Sequence, residues 1–363
     1  MNIRMYDCMF GDCFRVEPET DKYNPLYVDF GIHHRSAPKI SREDRYKKII
    51  EDMPDHKDFL LTHYHEDHYD GVIYMYQNFP CQRFDNVYIP DIWNISGSVY
   101  LVSLILLKGL LGNYYLKNNI TLFSFLASIC RNSGRIHFIS KGDIVQKVYT
   151  VLWPEMDKIK VPNDLDIPDE LREIARDIVQ VMQRIGENGE VGEEYATVFD
   201  GLNDRFRQLS QPDDPNNNSN IRKLSDWENN ISIVFHSTSR LQRNVLFTGD
   251  VPKWRWRRID QNRNSDRCAK SGGYDVIKIP HHGTTPYYHD FDPYSNSSTS
   301  YMIPNGNYFG WQIDHQYSSL STSSRKVYCS NNNACKAALA NKGICKCPNC
   351  TIINNSGTFY VDV

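Results

Sequence analysis

Residues 58–71 read Asp-Phe-Leu-Leu-Thr-His-Tyr-His-Glu-Asp-His-Tyr-Asp-Gly. Phe59-Leu60-Leu61 is a short apolar run that fits a buried strand, and Thr62 ends it. His63, His65, Asp67 and His68 follow at once. A strand sends alternate side chains to one face, so His63 and His65 face the same point. Asp67 and His68 are expected on the loop beyond, within reach of a second point nearby. Gly71 is expected to let the chain turn into a helix without steric cost. Imidazole nitrogens and a carboxylate at this density suit zinc, manganese or iron better than calcium.

Two further stretches repeat the pattern. Gly249-Asp250 follows the apolar run Asn244-Val245-Leu246-Phe247-Thr248. Pro280-His281-His282-Gly283-Thr284 follows Asp275-Val276-Ile277-Lys278-Ile279. Three strand ends that carry His or Asp describe a metal site held between two sheets. Asp250 can bridge two metals through its two oxygens. His281 would complete the second metal, and His282 is placed for a phosphate contact or a proton transfer.

The rest of the chain supplies alternating β and α patterns. Strands are expected at 2–6, 14–17, 26–31, 87–90, 135–139, 148–153, 231–235, 301–304 and 358–363, besides those already named. A helix is expected over 41–52, another from Val72 to Asn78, and two apolar helices over 96–130. The most apolar stretch, Val99 to Leu111, is interrupted by Lys108 and Gly109 and is too short to span a membrane. Residues 155–225 differ. Leu171, Ile174, Ile178, Val181 or Met182, and Ile185 fall at helical spacing, and residues 161–200 hold eleven acidic and three basic side chains. Gln211–Asn220 reads as a flexible loop. This block is expected to be a helical insertion with an acidic outer face, within a single domain covering 1–363.

His63-Tyr64-His65-Glu66-Asp67-His68 resembles the His-x-His-x-Asp-His signature of the metallo-β-lactamase superfamily. Gly11-Asp12-Cys13-Phe14 and Val28-Asp29-Phe30-Gly31 resemble its opening strands. Asn229-Asn230-Ile231-Ser232, Leu246 to Asp250 and Lys278 to Gly283 resemble its ComEC-like branch, which covers most of the chain outside 155–225 and the tail. The resemblance implies an α/β fold, the αββα four-layer sandwich, with two divalent metal ions (zinc or manganese). It implies that Asp29 supports the metal loop from behind the ligands. It implies that the middle histidine ligand of other members is replaced by an asparagine-containing segment. No His stands about twenty residues before Asp250, and the nearest, His236, follows its strand. Asn229 or Asn230 then holds a water or the substrate, and His315 takes a place near the site.

The chemistry expected of such a pair, metals about 3.5–4 Å apart, is hydrolysis by a metal-activated water. Asp67 would orient that water, with His282 stabilising a leaving oxygen. Lys253-Trp254-Arg255-Trp256-Arg257-Arg258 follows Asp250, and residues 240–270 hold nine basic against three acidic side chains. Lys253 and Arg255, interleaved with Trp, suit phosphate contact with base stacking, or form the basic face of an ordinary amphipathic helix. With the resemblance, a phosphodiesterase or nuclease acting on nucleic acid is the leading expectation. A small-molecule hydrolase (lactone, thioester or cyclic nucleotide) and a non-catalytic partner-binding subunit of a bacterial defence-type complex are the alternatives. Residues 96–130 or 155–225 would be the partner surface. Net charge, 41 − 44 = −3, gives no global pull toward nucleic acid or membrane. No secretory signal is read at the N-terminus, so a cytoplasmic location and mostly reduced thiols are expected. The segment 329–350 is cysteine-rich. Cys345, Cys347 and Cys350, with Cys335 and with Cys329 upstream, fit a structural zinc, free thiols or a disulfide.

Overall fold

The computed structural model describes residues 1–18, 20, 22–33, 39–112, 121–189, 191–209, 217–237, 244–260, 269–271, 273–305, 313–320, 322–330 and 358–362. Two mixed seven-stranded sheets carry the chain, with eight α-helices among the described residues. The first sheet uses β1 (Asn2–Tyr6), β2 (Cys13–Glu17), β3 (Leu26–Phe30), β4 (Asp58–Leu60), β5 (Phe84–Pro90), β6 (Ser133–Ile139) and β14 (Thr358–Asp362), in the order β14-β1-β2-β3-β4-β5-β6. The second uses β7 (Ile144–Val145), β8 (Tyr149–Trp153), β9 (Val234–Ser237), β10 (Val245–Phe247), β11 (Tyr274–Lys278), β12 (Ser295–Ile303) and β13 (Lys326–Cys329), in the order β13-β12-β11-β10-β9-β8-β7. In each sheet one half is antiparallel and the other parallel. Strands β3 to β6 run parallel, as do β10 to β13.

The parallel halves matter for function, because ligands sit beyond the carboxyl ends of parallel strands. The apolar alternation of the strands explains how the sheets meet. Ile3, Met5, Phe14, Val16, Val28 and Leu60 of the first sheet share one core with Val151, Phe235, Val245, Phe247, Val276 and Met302 of the second. Phe14 meets Phe247 edge to face at 5.4 Å.

The helices are α1 (Lys39–Glu51), α2 (Glu66–Asn78), α3 (Ser98–Gly112), α4 (Leu122–Asn132), α5 (Asp169–Asn188), α6 (Glu193–Arg207), α7 (Asn217–Asn230) and α8 (Lys253–Asp260). Their local signals are conventional. Thr121 caps α4 by accepting from the Ser124 amide at 3.1 Å. Gly189 ends α5 in the left-handed region, at φ 68. The spaced residues of α5, Leu171, Ile174, Ile178, Val181, Met182 and Ile185, are all buried. The α5–α7 block joins the same core as α3 and α4. No described helix is long and apolar enough to cross a membrane.

Several expectations need correction. Asp67 and His68 lie in the first turn of α2 and not on a loop. Gly71 is inside that helix. A side chain there would meet the Phe30 carbonyl at 2.8 Å, so it allows close packing of α2 on β3 and makes no turn. The strand expected at 231–235 begins at Val234, because α7 runs on to Asn230 and Ile233 donates its amide to the Thr62 carbonyl at 2.8 Å. Strands β7 and β13 were not anticipated. Cys335, Cys345, Cys347 and Cys350 lie outside the described residues. Cys329 is buried at the end of β13, and the described cysteines, Cys8, Cys13, Cys81, Cys130 and Cys329, are all thiols.

Candidate metal centre

The ends of β3, β4, β10 and β11 converge on one buried cluster. Three sets of side chains each bring one ligand-type atom within 4.8 Å of the others: His63, His68 and Asp250; Asp67, His68 and His282; and Asp12, Asp29 and His68. His68 belongs to all three and is the hub. All these residues are buried.

The hub is oriented from behind. Asp29 stands at the end of β3 with φ 57, a left-handed conformation that aspartate tolerates better than most residues. Its carboxylate accepts from the Thr62 amide at 2.7 Å and the Thr62 hydroxyl at 2.8 Å. It also contacts His68 Nδ1 at 2.8 Å. This arrangement directs His68 Nε2 inward, 3.5 Å from Asp250 Oδ2. Gly31 makes the packing possible. A methyl group there would sit 2.6 Å from the His68 amide nitrogen and closer still to the Asp67 carbonyl.

Asp250 is held from the other sheet. Lys278 Nζ donates to Asp250 Oδ1 at 3.0 Å and to the Gly249 carbonyl at 3.0 Å, and it pairs with Asp12 Oδ2 at 2.6 Å. The His281 amide donates to Asp250 Oδ1 at 3.1 Å. His281 and His282 both adopt positive φ, 44 and 56. That kink sends the two rings to different places. His282 Nδ1 lies 2.7 Å from the Pro304 carbonyl, which leaves Nε2 4.0 Å from Asp67 Oδ2. The His281 ring stacks on Tyr287 at 3.8 Å, with Nδ1 2.8 Å from the Thr284 hydroxyl. His282 is therefore the member of the pair that joins the described clusters, the place expected of His281.

Burial and neighbouring charges shift these groups strongly. Burial, with His68 and His65 adding to it, pushes His63 well below the ordinary imidazole range, so it is neutral. Burial also takes His282 down to about 3. Burial opposes charge on His68 too, but Asp29 and Asp250 outweigh it and hold the ring protonated in the cation-free chain. Burial would raise Asp250, yet Lys278 and His68 bring it well below the usual carboxylate range. Burial raises Asp67 to about 8. The Nε2 atoms of His63, His65 and His68 are buried without a hydrogen-bond partner, although Glu228 Oε2 stands 2.8 Å from that of His65. Inward-facing orphan imidazole nitrogens beside carboxylates fit a divalent cation of the zinc or manganese kind.

The expected first-metal half is built differently. His63 and His65 lie close, with ring centroids 4.4 Å apart. His65 Nε2, however, is 2.8 Å from Glu228 Oε2, and His65 joins none of the clusters. Glu228 sits in the last turn of α7 and pairs with the buried Lys108 of α3. Asn229 donates to the Tyr287 hydroxyl at 2.7 Å, and its Oδ1 is buried without a partner. Asn230 is committed to structure, since it donates to the Asp226 carbonyl at 2.9 Å and accepts from Arg255 at 3.2 Å.

Arg255 is in the interior and does not face solvent. It is 2% exposed and lies over Trp153 at 5.1 Å and Trp254 at 4.0 Å. Lys253 is exposed, with its ammonium 5.6 Å from the Tyr288 ring. His315 opens a short 3-10 stretch, His315–Leu320, and its side chain lies outside the described residues. His236 bonds Tyr274 at 2.6 Å, within the second sheet and away from the cluster.

Sequence reasoning overlooked Asp12, Thr62, Lys108, Glu228 and Lys278. Two of them carried a signal. Lys278 interrupts the apolar run Val276 to Ile279, and Lys108 interrupts an apolar helix. A buried lysine needs a buried anion. No protein-family model matches the chain, and no curated protein matches it.

Proposed function

We propose that the chain is a metal-dependent hydrolase of the metallo-β-lactamase type, its sheets and helices forming the αββα four-layer sandwich, and that it cleaves phosphodiester bonds in nucleic acid. One observation carries the hydrolase reading. His63, Asp67, His68, Asp250 and His282 converge from both sheets, buried, with the inward imidazole nitrogens of His63 and His68 lacking a hydrogen bond. Structural histidines are normally satisfied by neighbours.

His68 would hold the cation, with His63 and Asp250 on one side and Asp67 and His282 on the other. A divalent cation bound there would supply acidification of a water and polarisation of a phosphoryl oxygen. The protein's own groups do the rest. Asp29 fixes the His68 tautomer and aim. Lys278 holds Asp250 below the usual carboxylate range by pairing with it, and bridges it to Asp12. Thr62 ties the metal loop to β3. The Pro304 carbonyl holds the Nδ1 proton of His282, leaving Nε2 free toward Asp67.

The preference for nucleic acid rests on α8, which starts three residues after Asp250. Lys253, Arg257 and Arg258 are exposed and Trp254 is 57% exposed, beside the half-buried Tyr288. Exposed cations interleaved with rings suit phosphates and unpaired bases.

The test is a substrate panel of single-stranded, double-stranded and cyclic nucleotides, with Mn2+ or Zn2+, with EDTA, and with His68→Ala. Cleavage that disappears in both EDTA and the variant supports the proposal. Turnover of a lactone or thioester with no cleavage of any nucleotide would sink the phosphodiesterase reading.

A further inference from the structure

Lys108 sits in α3, among Leu104, Ile105, Leu107 and Leu111, and is 5% exposed. Its partner Glu228 is 1% exposed. Burying both charges is costly, and an apolar pair of similar size would often serve stability as well or better. The pair has a neighbour that gives it a role. The same oxygen, Glu228 Oε2, that meets Lys108 lies 2.8 Å from His65 Nε2. Through that shared oxygen the Lys108 ammonium stands beside His65, one of two histidines whose spacing suits a first metal, and a carboxylate oxygen lies 2.8 Å from its ligating atom.

We infer that the Lys108 ammonium, clamped by Glu228, takes the place of a first cation, so that the chain binds a single divalent ion in the cluster around His68. An ammonium offers three donors and no lone pair, so it cannot ligate a metal. It repels a divalent ion placed close by. His65 is turned to Glu228 and joins no cluster, while His63 remains beside His68 and Asp250. This inference rests on the proposal that the cluster around His68 holds a cation. Lys108 and Glu228 are positioning residues in it and touch no reacting atom.

The test counts metal. The full chain is stripped with chelator, equilibrated with Mn2+, freed of excess and assayed for metal per chain, with electron paramagnetic resonance to separate isolated from exchange-coupled ions. Wild type is expected to hold one isolated ion, and His65→Ala to hold one as well. In Lys108→Met the freed Glu228 carboxylate, with His63 and His65, completes a second site, so the count rises to two and the spectrum becomes coupled. Two coupled ions in wild type overturn the inference and leave the metal-centre proposal standing. No bound ion in wild type overturns the metal-centre proposal itself. A folded Lys108→Met that still holds one ion also overturns the inference. If circular dichroism shows that Lys108→Met does not fold, the wild-type and His65→Ala counts decide alone. One ion in each supports the inference, and loss of the ion in His65→Ala overturns it.

Discussion

Asp29→Asn isolates the orienting shell from the ligands. Asparagine has the volume of aspartate and accepts the left-handed backbone found there, φ 57, so the turn after β3 survives. The substitution removes the charge and one acceptor oxygen. One oxygen can still take the Thr62 amide, now bonded at 2.7 Å. The other position becomes an NH2 that faces the Thr62 hydroxyl and His68 Nδ1, both now 2.8 Å from a carboxylate oxygen. His68 Nδ1 then loses a charge-assisted bond worth about 1.5–3 kcal/mol. The loss of a carboxylate that orients a ligating histidine typically costs about 10–100-fold in metal affinity, or about 1.4–2.7 kcal/mol. The two estimates coincide, so affinity for Zn2+ is expected to fall by about 10–100-fold. Competition against a chromophoric chelator reads that change, with circular dichroism as the control for folding. Unchanged affinity in a folded variant would refute the claim that His68 is the hub aimed by Asp29.

Other perturbations reach other parts of the account. Gly31→Ala places a methyl 2.6 Å from the His68 amide nitrogen, so it is expected to cost about 1–3 kcal/mol of stability and to lower metal content; denaturant unfolding and metal analysis of the same samples check both. Arg255→Ala removes a buried guanidinium between two indoles and is expected to destabilise the fold by about 2 kcal/mol. By contrast, Lys253→Ala and Arg257→Ala leave stability unchanged, weaken single-stranded DNA binding, and reduce its salt slope by about 0.7 for each phosphate no longer neutralised; the reverse pattern would remove α8 from the substrate path. Burial lowers Lys57 from 10.5 to about 8, while its ammonium donates to the Pro54 carbonyl at 2.8 Å and to Gln82 at 2.6 Å. Between those values the unfolded chain binds the proton more tightly, so this group makes stability rise with pH from about 8 to 10.5. Chemical unfolding across that range is expected to show the rise in wild type relative to Lys57→Met, and parallel curves would contradict it.

The strand ends that bear the candidate ligands were legible because each is an apolar run followed at once by His or Asp. Periodicity alone located β4, β10 and β11 to within a residue or two, and most of the buried face of α5, which also includes Ala175 and Val179. Three things were not legible. The first is backbone conformation: adjacent histidines look equivalent, and only the positive φ of both separates His282 at the cluster from His281 on Tyr287. The second is partnership across long separations. Lys108 and Glu228 stand 120 residues apart, and nothing local announces their pairing. The third is side-chain commitment. Arg255 looks like an open cation in Lys-Trp-Arg-Trp-Arg-Arg, but one turn of α8 directs it inward to Asn230 and Trp153. Asn230 is likewise a structural acceptor, while Asn229 keeps a buried oxygen without a partner.

The central claim is that the buried His and Asp cluster holds a divalent cation and uses it to hydrolyse phosphodiesters. Its most direct test is the rate of cleavage of a labelled single-stranded oligonucleotide as metal-free chain is titrated with Mn2+. The account predicts no cleavage without metal, a rate that rises with bound metal until the site is full, and no cleavage by Asp250→Asn at any metal concentration. A chain that fills with metal and cleaves nothing, or one that cleaves equally well without it, would contradict the account.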